Sequence, residues 1–139
     1  MTEQPKPAEV TLTRLESGRY QARNSRGATI EFGTGDDQFS PGELFLASIA
    51  GCSAVDVDVV TSRRAEPESF EVIASGVKST EGGNHFEDLT VRFRLRFGAG
   101  QQADAARERI PAAVRASRER ECTVSRTVVA GTAVEFVIE

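Results

Sequence analysis

The chain has 139 residues, 39% of them hydrophobic and 27% charged, with a formal net charge of −4. That suffices for one folded domain, and the balance is that of a globular chain, not a disordered one. The acidic charge argues against a nucleic-acid partner, which needs a basic face to displace counterions. No uninterrupted apolar run approaches the ~20 residues that span a bilayer, so no membrane partner is expected.

Residues 1–7 are polar, contain two prolines and lack the apolar stretch of an export signal. They read as a short disordered lead-in, and the expected location is the cytoplasm. Val10–Leu15, Arg19–Arg23 and Ala28–Phe32 follow as three short strands. Ser17-Gly18 and Asn24-Ser25-Arg26-Gly27 mark the turns between them, and Gly33–Asp37 forms a loop.

Ser40-Pro41-Gly42-Glu43 then opens a helix. Ser40 suits the N-cap, Pro41 suits the first helical position, and Glu43 completes a capping box with Ser40. The pattern runs to about Arg63. Leu44, Phe45, Ile49, Val55, Val57, Val59 and Val60 surround most of the helix, while Ala47, Ser48, Ala50, Gly51, Ser53 and Ala54 are small. A helix that is apolar nearly all round is a buried one. In so short a chain, either sheet or a second subunit must wrap it.

Phe70–Lys78 reads as the next strand, followed by the turn residues Glu81–Asn84. Leu89, Val91, Phe93, Leu95 and Phe97 alternate with Thr90, Arg92, Arg94 and Arg96, giving one buried and one solvated face. Ala103–Glu121 reads as an amphipathic helix that Pro111 kinks or restarts. Val128–Ile138 reads as a closing strand, interrupted at Gly131. The expected order is βββ-α-ββ-α-β in one domain covering 1–139, an α+β class rather than an alternating parallel sheet.

Chemistry centres on the two cysteines. With one histidine, His85, they make a poor metal set, and no metal or cofactor is expected. Cys52 follows Gly51 in the middle of the long helix, and Cys122 lies where the second helix ends. Taken singly, each is either a small buried hydrophobe or half of a reactive pair. A redox role needs a cation or donor to favour the thiolate, access for an oxidant, and a resolving thiol. The two could join only with Cα atoms within about 7 Å.

Ser40-Pro41-Gly42-Glu43-Leu44 through Ala50-Gly51-Cys52, together with Glu121-Cys122-Thr123-Val124-Ser125, resembles the two cysteine motifs of the OsmC/Ohr family. The Ala50–Val57 run is most similar to a third, less characterised branch of that family. The resemblance implies an OsmC-like fold and an intertwined homodimer in which two sheets wrap two central helices. It also implies a thiol-dependent peroxidase. Cys52 would attack an organic hydroperoxide or hydrogen peroxide and become a sulfenic acid. Cys122 would condense with it to a disulfide, and an external thiol or dithiol would reduce that bond. A non-catalytic module that binds a small molecule or senses redox state on the same fold is the alternative.

The resemblance further implies an arginine that lowers the first cysteine's pKa and a glutamate that holds the arginine. The glutamate position is Gly42 here, and Glu43 is rotated from it by about 100° of helix. Arg19, after Gly18, is the best match for the arginine, with Arg23 and Arg26 as rivals; all three also fit solvated hairpin charges. Asp56 lies four residues after Cys52 on the same helix face, and either binds an arginine or backbone group at the site or serves a plain surface role. His85 reads as a solvated loop residue, and Arg92, Arg94 and Arg96 as the wet face of a strand.

Overall fold

The computed structural model describes residues 5–139; residues 1–4 of the expected lead-in lie outside the described residues, and Pro5–Pro7 are exposed without regular structure. The chain divides into two compact units, one ending at Phe45 and the other running Leu46–Glu139.

In the first unit, β1 (Val10–Glu16), β2 (Arg19–Asn24) and β3 (Thr29–Gly33) form an antiparallel sheet in the order β1-β2-β3. The turn residues act as their chemistry dictates. Gly18 takes a left-handed φ of 75° between β1 and β2. The Asn24 side chain accepts from the backbone N–H groups of Arg26 and Ala28, closing the second hairpin. Tyr20 pairs with Phe32 across β2 and β3, with ring centroids 5.9 Å apart.

The helix α1 spans Pro41–Thr61. Its capping box forms as the sequence indicates: Glu43 N–H donates to Ser40 Oγ at 3.2 Å, and Ser40 N–H donates to Glu43 Oε1 at 2.9 Å. Ile49, Ser53, Val57 and Thr61 form its buried stripe. Gly51, Val55, Asp58 and Val59, on other faces, are exposed. By length and composition, α1 alone among the described helices is long and apolar enough to cross a membrane, with a window mean hydropathy of 1.7 of which 22% is buried. Glu43, Asp56 and Asp58 break it as an uninterrupted apolar run.

The second unit continues from α1 into β4 (Ser69–Ser79) and β5 (His85–Arg96), an antiparallel ribbon. The alternation in β5 is realised from Val91 onward: Val91, Phe93 and Leu95 turn inward while Arg92, Arg94 and Arg96 are exposed, whereas Leu89, expected on the buried face, is exposed. The helix α2 (Gln101–Ala116) packs Ala103 and Ala106 against Phe97, with Ala65, Leu95 and Ile110 around them. Pro111 does not end α2.

Beyond α2 the structure corrects the expected order. The chain widens into a π-helical turn, Ser117–Glu121, whose last hydrogen bond runs from Cys122 N–H to the Ser117 carbonyl at 2.8 Å. A third helix, α3 (Thr123–Ala130), follows, capped by Gly131 in a left-handed conformation at φ 63°. Val128–Ala130, expected in a closing strand, is thus the end of a helix. Residues 132–139 belong to no sheet among the described residues. The sequence there is still β-rich, with Val134, Phe136, Val137 and Ile138 at 71–99% exposure. A strand needs a partner edge to form its hydrogen bonds, and this segment pairs with none among the described residues.

Candidate functional site

The amino end of α3 assembles the site. Cys122 is its N-cap, with an extended backbone (φ −78°, ψ 99°), and its side chain takes the role usual for serine at that position. Cys122 Sγ accepts from the Ser125 N–H at 3.4 Å and from Ser53 Oγ, on α1, at 3.6 Å. Ser53 is buried, and Cys122 is fully so. The first-turn N–H groups of a helix have no intrahelical partner and favour negative charge. Those of Val124 and Thr123 face the other sulfur, Cys52, which is only partly buried. Each thiol also acts on the other's ionisation, Cys122 raising Cys52 and Cys52 lowering Cys122.

The two sulfurs therefore sit in unlike environments. Burial pushes the Cys52 thiol above its ordinary pKa, the neighbouring Cys122 adds to this, and the Val124 and Thr123 amides only partly offset it. At Cys122 burial acts in the same sense, but donation from the Ser125 side chain and backbone, from Ser53 and from Cys52 outweighs it and brings the pKa down. Both are free thiols.

A second contact fixes this corner. Ser117 Oγ, inside the π turn and buried, donates to Asp56 Oδ2 on α1 at 2.7 Å. Ser53 and Asp56 lie nearly one turn apart on α1, so the helix grips the Cys122 segment at two points. Asp56 thus holds the turn before Cys122 instead of an arginine. Ser53, Ser117, Ser125 and α3 itself are the parts that sequence reasoning missed. The signal lay in Cys122-Thr-Val-Ser125, a capping spacing with cysteine in the serine position.

An apolar cleft of about 160 Å³ lies beside the thiols, lined by Leu46, Ile49, Leu89, Val91, Ser125 and Val128 among others. Arg19 lies in the first unit, where Glu16 and Glu31 pair with it at 3.2 and 3.1 Å and raise its pKa, chiefly through the Glu31 hydrogen bond. The same residues line a polar cleft of about 670 Å³ together with Asp37, Gln38 and Phe39. Arg23 and Arg26 are exposed. Gly42 offers no side chain, and Glu43 is occupied by its cap. His85 is held by the Gly83 carbonyl at 2.8 Å and by Glu87 at 3.0 Å.

The OsmC-like protein family matches this chain over residues 33–137, which include both cysteine motifs. The chain belongs to the OsmC-like family. Uncharacterized proteins of Mycobacterium tuberculosis and Mycobacterium bovis are 26% identical to it over 132 residues, covering 94% of this chain and 95% of theirs. Among solved structures, a hypothetical protein of Aquifex aeolicus superposes with a TM-score of 0.72 at 23% identity, covering 92% of this chain and 91% of its own. An OsmC-like protein of unknown function from Vibrio cholerae gives 0.69 at 12% identity, covering 88% and 94%. At these identities the structural likenesses speak to the OsmC-like fold alone, a mixed α+β architecture of three helices and two antiparallel sheets.

Proposed function

We propose that this OsmC-like protein is a thiol-dependent peroxidase. The observation that supports the proposal is that Cys52 and Cys122 act on each other's ionisation at the amino end of α3, where Ser53 and Ser125 donate to Cys122. Cys52 is the more accessible sulfur and meets the oxidant. Its sulfur attacks one oxygen of the peroxide, the O–O bond breaks, and the rest of the peroxide leaves and becomes an alcohol or water on protonation. The resulting Cys52 sulfenic acid is attacked by Cys122, the S–O bond breaks, and water departs as the disulfide forms. An external dithiol then restores both thiols by exchange and leaves as its own disulfide. The neighbouring apolar cleft favours organic hydroperoxides with a short aliphatic group over hydrogen peroxide. Arg19 is the cation proposed to assist Cys52, anchored here by Glu16 and Glu31 in place of a glutamate at position 42. Two free thiols suit a reducing compartment, and we place the protein in the cytoplasm.

The active unit is proposed to be a homodimer. In the isolated chain Val55 is 63% exposed on α1, and Ile138 is 99% exposed on a segment that joins no sheet among the described residues. A second copy supplies both a facing helix and a sheet edge.

Titration of the reduced protein with peroxide tests the activity. Loss of both thiols, a mass decrease of about two hydrogens and reversal by a dithiol are expected. Survival of both thiols in excess peroxide would reject it. The burial that keeps Cys52 protonated favours a second function, a small-molecule-binding or redox-sensing module using the apolar cleft. Cys52→Ser separates the two: it abolishes turnover in the first case and leaves ligand binding intact in the second.

A further inference from the structure

We infer that Cys122, clasped by Ser53, Ser125 and the π turn, is the charged member of the resting pair, and that it is the sulfur expelled when an external thiol opens the disulfide, with attack falling on Cys52. The second half rests on the disulfide that the peroxidase function requires; the first half does not.

The geometry is asymmetric in three independent ways. Ser53 is buried on α1, and its hydroxyl is directed at Cys122 Sγ rather than at its own neighbour Cys52. The α3 N-cap arrangement gives Cys122 an aligned amide from Ser125. The Asp56–Ser117 hydrogen bond and the π turn, a widening often found at functional sites, fix the backbone from which Cys122 projects. The ionisable groups on the surrounding elements do not reverse this. On α1 they are Glu43, held in its capping box, Cys52, Asp56, bonded to Ser117, and Asp58, which is exposed. On the π turn Arg118 pairs with Glu119 and Arg120 with Glu121, all exposed. Arg126, on α3, is exposed.

Two consequences follow for electron flow. In the reduced pair the charged Cys122 sulfur is the base assigned to take the proton from the Cys52 S–H as Cys52 attacks an electrophile. In the oxidised pair an incoming thiolate forms a bond to Cys52 Sγ, the Sγ–Sγ bond breaks, and its electron pair leaves on Cys122. A more stable thiolate leaves faster, and Cys122 is fully enclosed, so both stability and access direct the attack to Cys52.

The ultraviolet absorbance of thiolate, followed against pH, gives the first test without peroxide. The lone Cys122 of Cys52→Ser is expected to ionise at lower pH than the lone Cys52 of Cys122→Ser. Adding Ser53→Ala to the former should raise the Cys122 midpoint by about half to one pH unit, from loss of one donor to the charged form. The reverse order, or no response to Ser53→Ala, would overturn the assignment. The second test uses unsubstituted protein oxidised with diamide, mixed with a monothiol and quenched in acid. Peptide mapping should find the mixed disulfide on Cys52, and an adduct on Cys122 would refute the direction of attack. Failure of the peroxide titration alone touches neither measurement.

Discussion

Removing the Ser117 hydroxyl should loosen the Cys122 corner while leaving both thiols chemically intact. Ser117 is 1% exposed, and its Oγ meets Asp56 Oδ2 at 2.7 Å. A hydrogen bond to a charged acceptor contributes about 1.5–3 kcal/mol. Asp56 is only partly buried, so water replaces some of what Ser117→Ala removes, and the expected loss is about 1–2 kcal/mol. Asp56→Asn keeps an acceptor but not its charge, and should cost less than Ser117→Ala. Urea unfolding at fixed protein concentration checks this: the midpoint should fall with the slope unchanged. The double variant Ser117→Ala/Asp56→Ala should show a coupling of about 1 kcal/mol, since the two side chains share one bond. Additive effects would refute the clasp. So would an unchanged lifetime of the Cys52 sulfenic acid, trapped by a dimedone probe in peroxide-treated Ser117→Ala. A displaced Cys122 should resolve that acid more slowly.

Val55→Arg places a charge on the exposed face of α1 and should weaken the proposed dimer by more than tenfold, read by sedimentation equilibrium; unchanged mass would show that this face is not the interface. Ser40→Ala removes one half of the capping box and should destabilise the protein by about 1 kcal/mol in thermal unfolding. Backbone and side-chain donation from Ser40 hold the Glu43 carboxyl below its usual range. Its contribution is therefore complete above the ordinary carboxyl pKa and fades as the pH falls through the lowered value, so the Ser40→Ala deficit should narrow in acid. His85, raised first by its contact with the Gly83 carbonyl and then by Glu87, should titrate above 6.5 by NMR. Its small contribution is full below the unfolded pKa and lost as the pH rises through the folded one.

The sequence made the parts with local rules legible. The hairpin turns follow from Gly18, Asn24 and Gly27, and the start of α1 from Ser40 and Glu43. Strand β5 follows from the alternation of Val91, Phe93 and Leu95 with arginines. The two cysteine motifs are legible as the chain's OsmC-like signature. What stayed hidden depends on longer range. Thr123–Ala130 carries β-branched residues that favour strand, yet it forms a helix because Cys122 caps one end and Gly131 closes the other. Local propensity does not register cysteine as a cap. The π turn depends on where Asp56 and Ser117 meet, which no spacing along one helix encodes. Residues 132–139 have the composition of a strand but pair with no edge among the described residues, because strand formation depends on a partner edge as well as on composition.

The burial of Cys52 and the donors at Cys122 bear jointly on how such a site could act on peroxide. A thiol raised by desolvation is a poor nucleophile at neutral pH unless its proton has somewhere to go. Cys122, whose pKa is lowered by its donors, supplies that acceptor within the chain under the assignment proposed above, without a cation. Arg19, engaged with two glutamates, carries less free positive charge to offer than an unpaired arginine would. The two accounts of Cys52 activation part on one substitution. If Cys122 takes the proton, Cys122→Ser should slow the first attack on peroxide itself, measured as the rate of sulfenic acid formation in a single turnover, by tenfold or more. If Arg19 alone activates Cys52, that rate should persist in Cys122→Ser and collapse in Arg19→Ala. Glu31→Gln then distinguishes anchoring from masking: it slows the reaction where Glu31 positions Arg19 and speeds it where Glu31 merely neutralises the charge.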